Sequence, residues 1–191
     1  SNTGLRTTVS GFEAAQANTS NNVTVVGYQA AQSNTGSNAT ATGFAAAQDN
    51  TGDDATVSGF RAGQFNTGGK VTVFGLQAAR GNTGDSLTAA GHQAGRGNTG
   101  NNVTVAGVNA ARGDGLSDTT TMGDDNIGIG LSAIRNNQAS GLIGIGQEAG
   151  INAQTDDQLI VTDRNGNRRL VMDLTNGDLK IDGSLTENAT L

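Results

Sequence analysis

The chain has no cysteine, no proline and no tryptophan. Without cysteine there is no disulfide frame, no thiolate metal site and no cysteine nucleophile. It has only five phenylalanines, one tyrosine and two methionines in 191 residues, and hydrophobic residues make up 34%. Most of these are alanine and valine, so an ordinary compact core would be thin. No apolar run approaches the roughly 18 residues of a membrane-spanning helix. Positive charge is scarce, with 11 Lys plus Arg against 17 Asp plus Glu. No basic cluster stands out along the chain, which argues against a phosphate-binding footprint and a nucleic-acid partner. A single histidine, His92, leaves little for imidazole chemistry.

What is abundant is glycine, 30 residues of it, and it is placed periodically. Gly11, Gly27, Gly43, Gly59, Gly75, Gly91, Gly107 and Gly123 stand sixteen residues apart. The repeating word is clearest at residues 98–113, NTGNNVTVAGVNAARG. A fixed period of this length signals a repeat architecture, in which stacked units bury a shared, narrow core. Other columns keep the same step: Ala14, Ala30, Ala46, Ala62, Ala78, Ala94 and Ala110; Thr24, Thr40, Thr56, Thr72, Thr88 and Thr104, with Thr120 next in phase; and Asn18, Asn34, Asn50, Asn66, Asn82 and Asn98, followed by Asp114. Gln16, Gln32, Gln48 and Gln64 give way to Arg80, Arg96 and Arg112. Ser1–Ser10 already reads as the tail of a repeat, so the chain reads as a piece of something longer.

Within one word, V-T-V alternates as a strand does, with Val103 and Val105 on one side and Thr104 on the other. The A-A-R/Q-x-N piece reads as a second short strand, and Asn and Gly supply the turns between. A helix is excluded by too few apolar residues at 3.6 spacing and by repeated Gly, Asn and Thr. Each repeat is therefore expected to be one coil of a parallel β-solenoid. Identical residues would stack about 4.8 Å apart, and stacked asparagines would bond rung to rung. The fold class is all-β.

Three segments follow. Residues 1–124 form the sixteen-residue solenoid. Residues 125–155 hold closing coils in which Ile127 and Ile129, then Ile143 and Ile145, replace the valine pair. Residues 156–191 form a C-terminal β-meander of strands at 158–163, 168–174 and 178–185, joined at Asn165-Gly166 and Asn176-Gly177. Too small to stand alone, the meander is expected to cap the stack edge or pack on symmetry mates.

The segments DNIGIGLSA (125–133) and GLIGIGQEAG (141–150) resemble the YadA-type head repeats of trimeric autotransporter adhesins, and the related coils of phage tail fibres. That resemblance implies a left-handed parallel β-roll with three chains to a rod, exposed at a surface and used to bind or to space. The phrase NGDLKIDGSL (176–185) resembles segments that follow repeat rods in phage tail fibres. The expected function is a non-enzymatic tail-fibre segment on the virion. Its partners would be two further copies, other fibre or virion proteins, and a host surface receptor, either a glycan or an outer-membrane protein. Alternatives are the head of a bacterial adhesin, an ice-binding solenoid and a polysaccharide-cleaving spike. GYQAAQSNTG (27–36) is similar to the sixteen-residue repeats of ice nucleation proteins, but a T-x-T step occurs only at Thr40/Thr42 and Thr119/Thr121.

No catalytic, metal or cofactor site emerges. The column after the glycine, Phe12, Tyr28, Phe44, Phe60, Leu76, His92, Val108 and Asp124, reads as stacking cover, and His92 gains no second ligand from it. Asp163, Asn165 and Asn167 imitate a calcium loop but lack its terminal glutamate; they read as a hairpin turn. Asp53-Asp54, Asp124-Asp125 and Asp156-Asp157 read as solvated turn caps.

Overall fold

The computed structural model describes residues 3–113 and 122–181. Among these there is no helix. The strands are β1 (Thr7–Ser10), β2 (Val23–Val26), β3 (Thr40–Thr42), β4 (Thr56–Ser58), β5 (Thr72–Phe74), β6 (Thr88–Ala90), β7 (Thr104–Ala106), β8 (Ile127–Ile129), β9 (Ile143–Ile145), β10 (Gln158–Thr162), β11 (Arg168–Asp173) and β12 (Leu179–Ile181). They form one sheet in sequence order. From β1 to β10 every pairing is parallel. The chain is a parallel β-solenoid. β10 to β11 and β11 to β12 are antiparallel.

Register follows the sixteen-residue step. Thr8, Thr24, Thr40, Thr56, Thr72, Thr88 and Thr104 pair directly, one above the next. They face outward, while Val23, Val25, Val57, Val73 and Val105 are fully or almost fully buried. Buried alanines such as Ala30, Ala31, Ala46 and Ala47 oppose them. Facing residues trade size across the thin core. Where Leu87 is large, Gly95 opposes it, and an added Cβ there would lie 3.0 Å from Leu87 Cδ2. Gly150 opposes Leu142 in the same way.

The second strand expected in each coil does not form. Residues 12–17 and their equivalents make a run of turns instead. Alternate residues lie in the left-handed region: Glu13, Ala15 and Ala17 have φ of 54°, 50° and 56°. The physical reason is the Ala-Ala pair. Ala30 and Ala31 are both fully buried, whereas a strand would send one of them outward. Alternating handedness turns consecutive side chains inward and still aims the backbone along the stack. The Ala15 N–H donates to the Ala30 carbonyl at 2.8 Å, and the Gln29 N–H to the Phe12 carbonyl at 2.9 Å. Left-handed backbone costs about 1–2 kcal/mol per non-glycine residue, so inter-coil bonding and burial must offset it.

The asparagine column is buried and continuous. Each Nδ2 donates to Oδ1 of the previous rung, at 3.1 Å from Asn34 to Asn18 and 2.8–2.9 Å for the next four steps. The same amide also reaches the carbonyl two residues on, as Asn66 does to Gly68 at 2.7 Å. Among the described residues the ladder runs as far as Asn98, whose Oδ1 has no partner there.

The phase slip lies earlier than the glycines suggest. Thr104 pairs with Ile127, so this one coil is longer than the repeat. A Cβ added at Gly107 would meet Gly130, not Gly123. Gly123 belongs to another column, below Gly100 and the N-T-G glycines. Asp124 is therefore not in the aromatic column; it takes the place of an Asn101-type turn residue, and Leu131 follows Val108. The positions given to Asp114, Thr119, Thr120 and Thr121 lie outside the described residues, as do residues 182–185 of the third C-terminal strand.

The isoleucines also lie on the other face, because they stand one and three residues before Gly130 where Val105 and Val103 stand two and four before Gly107. Ile127 and Ile129 register with Thr104 and Ala106, and Gly128 with Val105. Ile127, Ile129 and Ile145 are outward, 39%, 48% and 39% exposed. They do not replace the valine pair. The core space over Gly128 is filled from the opposite wall by Ile134, whose Cγ1 lies 2.5 Å from where a Gly128 Cβ would stand. Leu142 and Met122 complete this end of the core, and Asn126 takes the Val103 position. Asn126 Nδ2 donates to the Gly123 and Ala139 carbonyls, and its Oδ1 accepts from the Leu142 N–H.

Candidate binding surfaces

Each coil presents three outward surfaces, and each surface repeats one chemistry. The first is the strand face. Its central column is the threonine ladder, ending in Ile127 and Ile143. Beside it run Ser10, Val26, Thr42, Ser58, Phe74, Ala90, Ala106, Ile129 and Ile145. At the adjoining corner Phe12, Tyr28, Phe44 and Phe60 stack with ring centroids 5.5, 5.0 and 5.1 Å apart. Such pairs contribute about 0.5–1.5 kcal/mol each beyond area burial. Leu76, His92, Val108 and Leu131 continue the column. His92 is exposed in it, and among the described residues no group of three His, Cys, Asp or Glu is placed to hold a metal ion.

The second surface is the turn edge, where most of the acidic residues of the coils sit, with Glu13, Asp49 and Glu148 on the turn run instead. Asn22 Nδ2 donates to Asn38, Asn38 to Asp54 and Asn102 to Asp125. Backbone N–H groups of Ser37, Gly69, Asn101 and Ser140 donate to Asp53, Asp85, Asp124 and Asp156. These carboxylates act as rung-to-rung acceptors. A groove of about 450 Å³ opens where Gly69 interrupts the column, between Asp53, Lys70 and Asp85.

The third surface is the back wall, formed by the turn run across the core from the strands. Here Gln32 donates to Gln16, Gln48 to Gln32 and Gln64 to Gln48, at 2.9, 2.8 and 2.6 Å. An amide carries both donor and acceptor, so the ladder satisfies itself. From Arg80 onward it cannot. Arg80 Nε donates to Gln64 Oε1 at 3.1 Å, and then Arg96, Arg112 and Arg135 stand on successive rungs. The backbone fixes this order: Gly97 bonds Arg80, Gly113 bonds Arg96 and Asn136 bonds Arg112. Burial, and then the charges of Arg112 and Arg80, hold Arg96 below the usual arginine range. A basic cluster therefore exists, although none is visible along the chain. Its members are a full coil apart in sequence, and only stacking brings them together.

In the C-terminal strands, Asp163 closes the β10–β11 turn. It accepts from the Asn165 and Asn167 backbone, from the Asn167 side chain and from Arg169. This is the hairpin expected of these residues. The Asn167 side chain, then Arg169, holds the Asp163 carboxyl well below the usual carboxylate range. A depressed folded-state pKa means that the contribution is present above the ordinary value of about 3.9. It is lost as pH falls through the lowered one. The Asn165 and Asn167 amides should thus stay protected from hydrogen exchange at pH 4 and open only in stronger acid. Exchange in Asp163→Ala should be fast throughout.

Comparison of the chain with protein-family models, with curated proteins and with solved structures finds no match.

Proposed function

We propose that this chain is a segment of a homotrimeric attachment fibre, of the kind found in phage tail fibres, acting as a non-enzymatic rod that binds or spaces. The observation that carries the reading is the strand face. A regular ladder ends in a contiguous outward strip of Ile127, Ile129, Leu131 and Ile145, with Phe74, Leu76 and Val108 further along. An apolar strip of this length on one straight face fits burial against other copies. The thin core supports the same conclusion, because alanine and valine coils bury little per residue and gain from a shared interface. Three identical faces would also raise avidity for a repeated receptor without new contacts. The antiparallel β10–β12 unit would then connect the rod to a following module. The head of a bacterial surface adhesin would use the same geometry.

Light scattering tests the trimer. A mass three times that of the 19.1 kDa chain is expected. Ile129→Lys/Ile145→Lys should reduce it to the single-chain value, with the β signature in circular dichroism retained. A wild-type mass of one chain would remove the trimeric fibre.

The threonine ladder gives ice binding one specific support, since seven hydroxyls stand in a single register. Its neighbouring column mixes Ser, Val, Thr, Phe and Ala, which breaks the flat array. Thermal hysteresis in a freezing assay would favour that reading over the fibre.

A further inference from the structure

The back wall carries an arginine column, Arg80, Arg96, Arg112 and Arg135. Four guanidiniums stand on consecutive rungs, spanning three steps of about 4.8 Å. Each is a donor without acceptor capacity, so stacked arginines cannot bond one another as the glutamines before them do. Among the described residues the one ion pair is Arg169 with Asp163, and no carboxylate answers this column. Among the described residues the Nε atoms of Arg112 and Arg135, like that of Arg61 outside this column, are buried without an acceptor. Buried donors of this kind are normally partnered.

The neighbouring column changes at the same coils. It reads Ala17, Ser33, Asp49 and Phe65, and then Gly81, Gly97 and Gly113. Beside Arg80, Arg96 and Arg112 the wall thus loses its side chains, with Gly81 and Gly97 partly exposed and Gly113 buried, whereas Asn136 stands beside Arg135. Phe65 closes one end of this strip, 40% exposed, with the Arg80 guanidinium carbon 5.7 Å from its ring centroid. An aromatic platform, a glycine floor and a row of planar donors at a fixed spacing lie together on the back wall, away from the strand face.

We infer that this strip binds an extended anionic glycan carrying a carboxylate on successive sugars. Guanidinium matches carboxylate in planar, two-pronged geometry. The rung spacing is close to the length of one sugar unit, and a flat ring can lie on the glycine floor and stack on Phe65. A nucleic acid fits less well. The chain carries a net charge of -6, the strip is one arginine wide, and its neighbours on the turn edge are carboxylates that would repel a thick polyanion. This inference rests on the attachment reading above and names the receptor class for it.

The test uses the full chain with alginate, a polyuronate, as probe, in affinity electrophoresis at low salt. Neutral dextran and a dT20 oligonucleotide are the comparisons, and mass is measured on the same samples. The variant is Arg80→Gln/Arg96→Gln/Arg112→Gln, which extends a glutamine ladder the fold already contains. Wild type should be retarded by alginate and not by dextran, and the variant should bind about tenfold or more weakly. Retardation should weaken with added salt. No retardation of wild type, or equal retardation of the variant, would overturn the inference. Tighter binding of dT20 than of alginate would overturn the glycan assignment. A variant that loses its trimer would show that the arginines serve a partner copy instead. A trimer that ignores alginate sinks this inference alone, whereas a single-chain species that binds it sinks the fibre reading and spares the strip.

Discussion

Gly59→Ala should destabilise the stack by about 4 kcal/mol or more, a loss that puts it among the most damaging single substitutions. Gly59 has φ of 139°, where a side chain is strained, and an added Cβ would lie 2.3 Å from the Gly75 carbonyl oxygen. That oxygen belongs to backbone one rung away, so neither partner can step aside without opening the sheet. The same contact recurs at Gly27, Gly43, Gly75, Gly91 and Gly107. At this corner, where the strand ends and the turn run begins, successive coils approach too closely to admit a side chain. Gly69→Ala is the control. It has no left-handed φ, and its added Cβ would meet nothing nearer than 3.7 Å. It should be neutral, or stabilising by about 0.4–1 kcal/mol through the unfolded chain. Urea midpoints followed by circular dichroism compare the two, and similar midpoints would contradict the close stacking.

Asn66→Ala should be the next most costly change. Asn66 Nδ2 bonds both Asn50 Oδ1 and the Gly68 carbonyl, and its Oδ1 accepts from Asn82. Truncation leaves two buried acceptors without a donor and one Asn82 N–H without an acceptor. At about 1–3 kcal/mol for each orphaned group, the loss is roughly 3 kcal/mol. Thr72→Ala, in the outward ladder, should stay within about 0.5 kcal/mol. Exchange protection of the Thr51 and Thr67 amides should drop in the first variant only, because these donate to the Asn66 and Asn82 carbonyls. Equal effects of the two substitutions would mean that the amide ladder adds no more than the surface threonines do.

The period makes the columns legible, and with them the solenoid, the threonine ladder and the buried asparagines. Other features stay hidden in the sequence, each for a physical reason. The back wall reads as a strand because A-A-x-x-N has an apolar start and a polar end. Both alanines point inward, and only an alternation of handedness, unmarked in residue type, permits that. Ile127 and Ile129 read as core because isoleucine suits a core. They stand one and three residues before the corner glycine, not two and four as the valines do, which puts them in the threonine and Ala106 columns, and a one-residue change of register swaps faces. Gly123 falls on the sixteen-residue count by coincidence, which conceals the longer coil. The arginine strip is invisible because charge runs are sought along a chain, whereas a solenoid gathers charge across rungs.

The stack depends on vertical registry, and spin-label distances measure it directly. The chain has no cysteine, so paired labels can be placed on the exposed threonine ladder as Thr24→Cys/Thr88→Cys, Thr24→Cys/Thr104→Cys and Thr8→Cys/Thr104→Cys, each diluted with unlabelled chain. Four, five and six rungs separate these pairs, giving narrow distributions near about 19, 24 and 29 Å, with one strand spacing added per rung. Distances that are broad, or that do not grow by a constant increment for each added repeat, would contradict the stack.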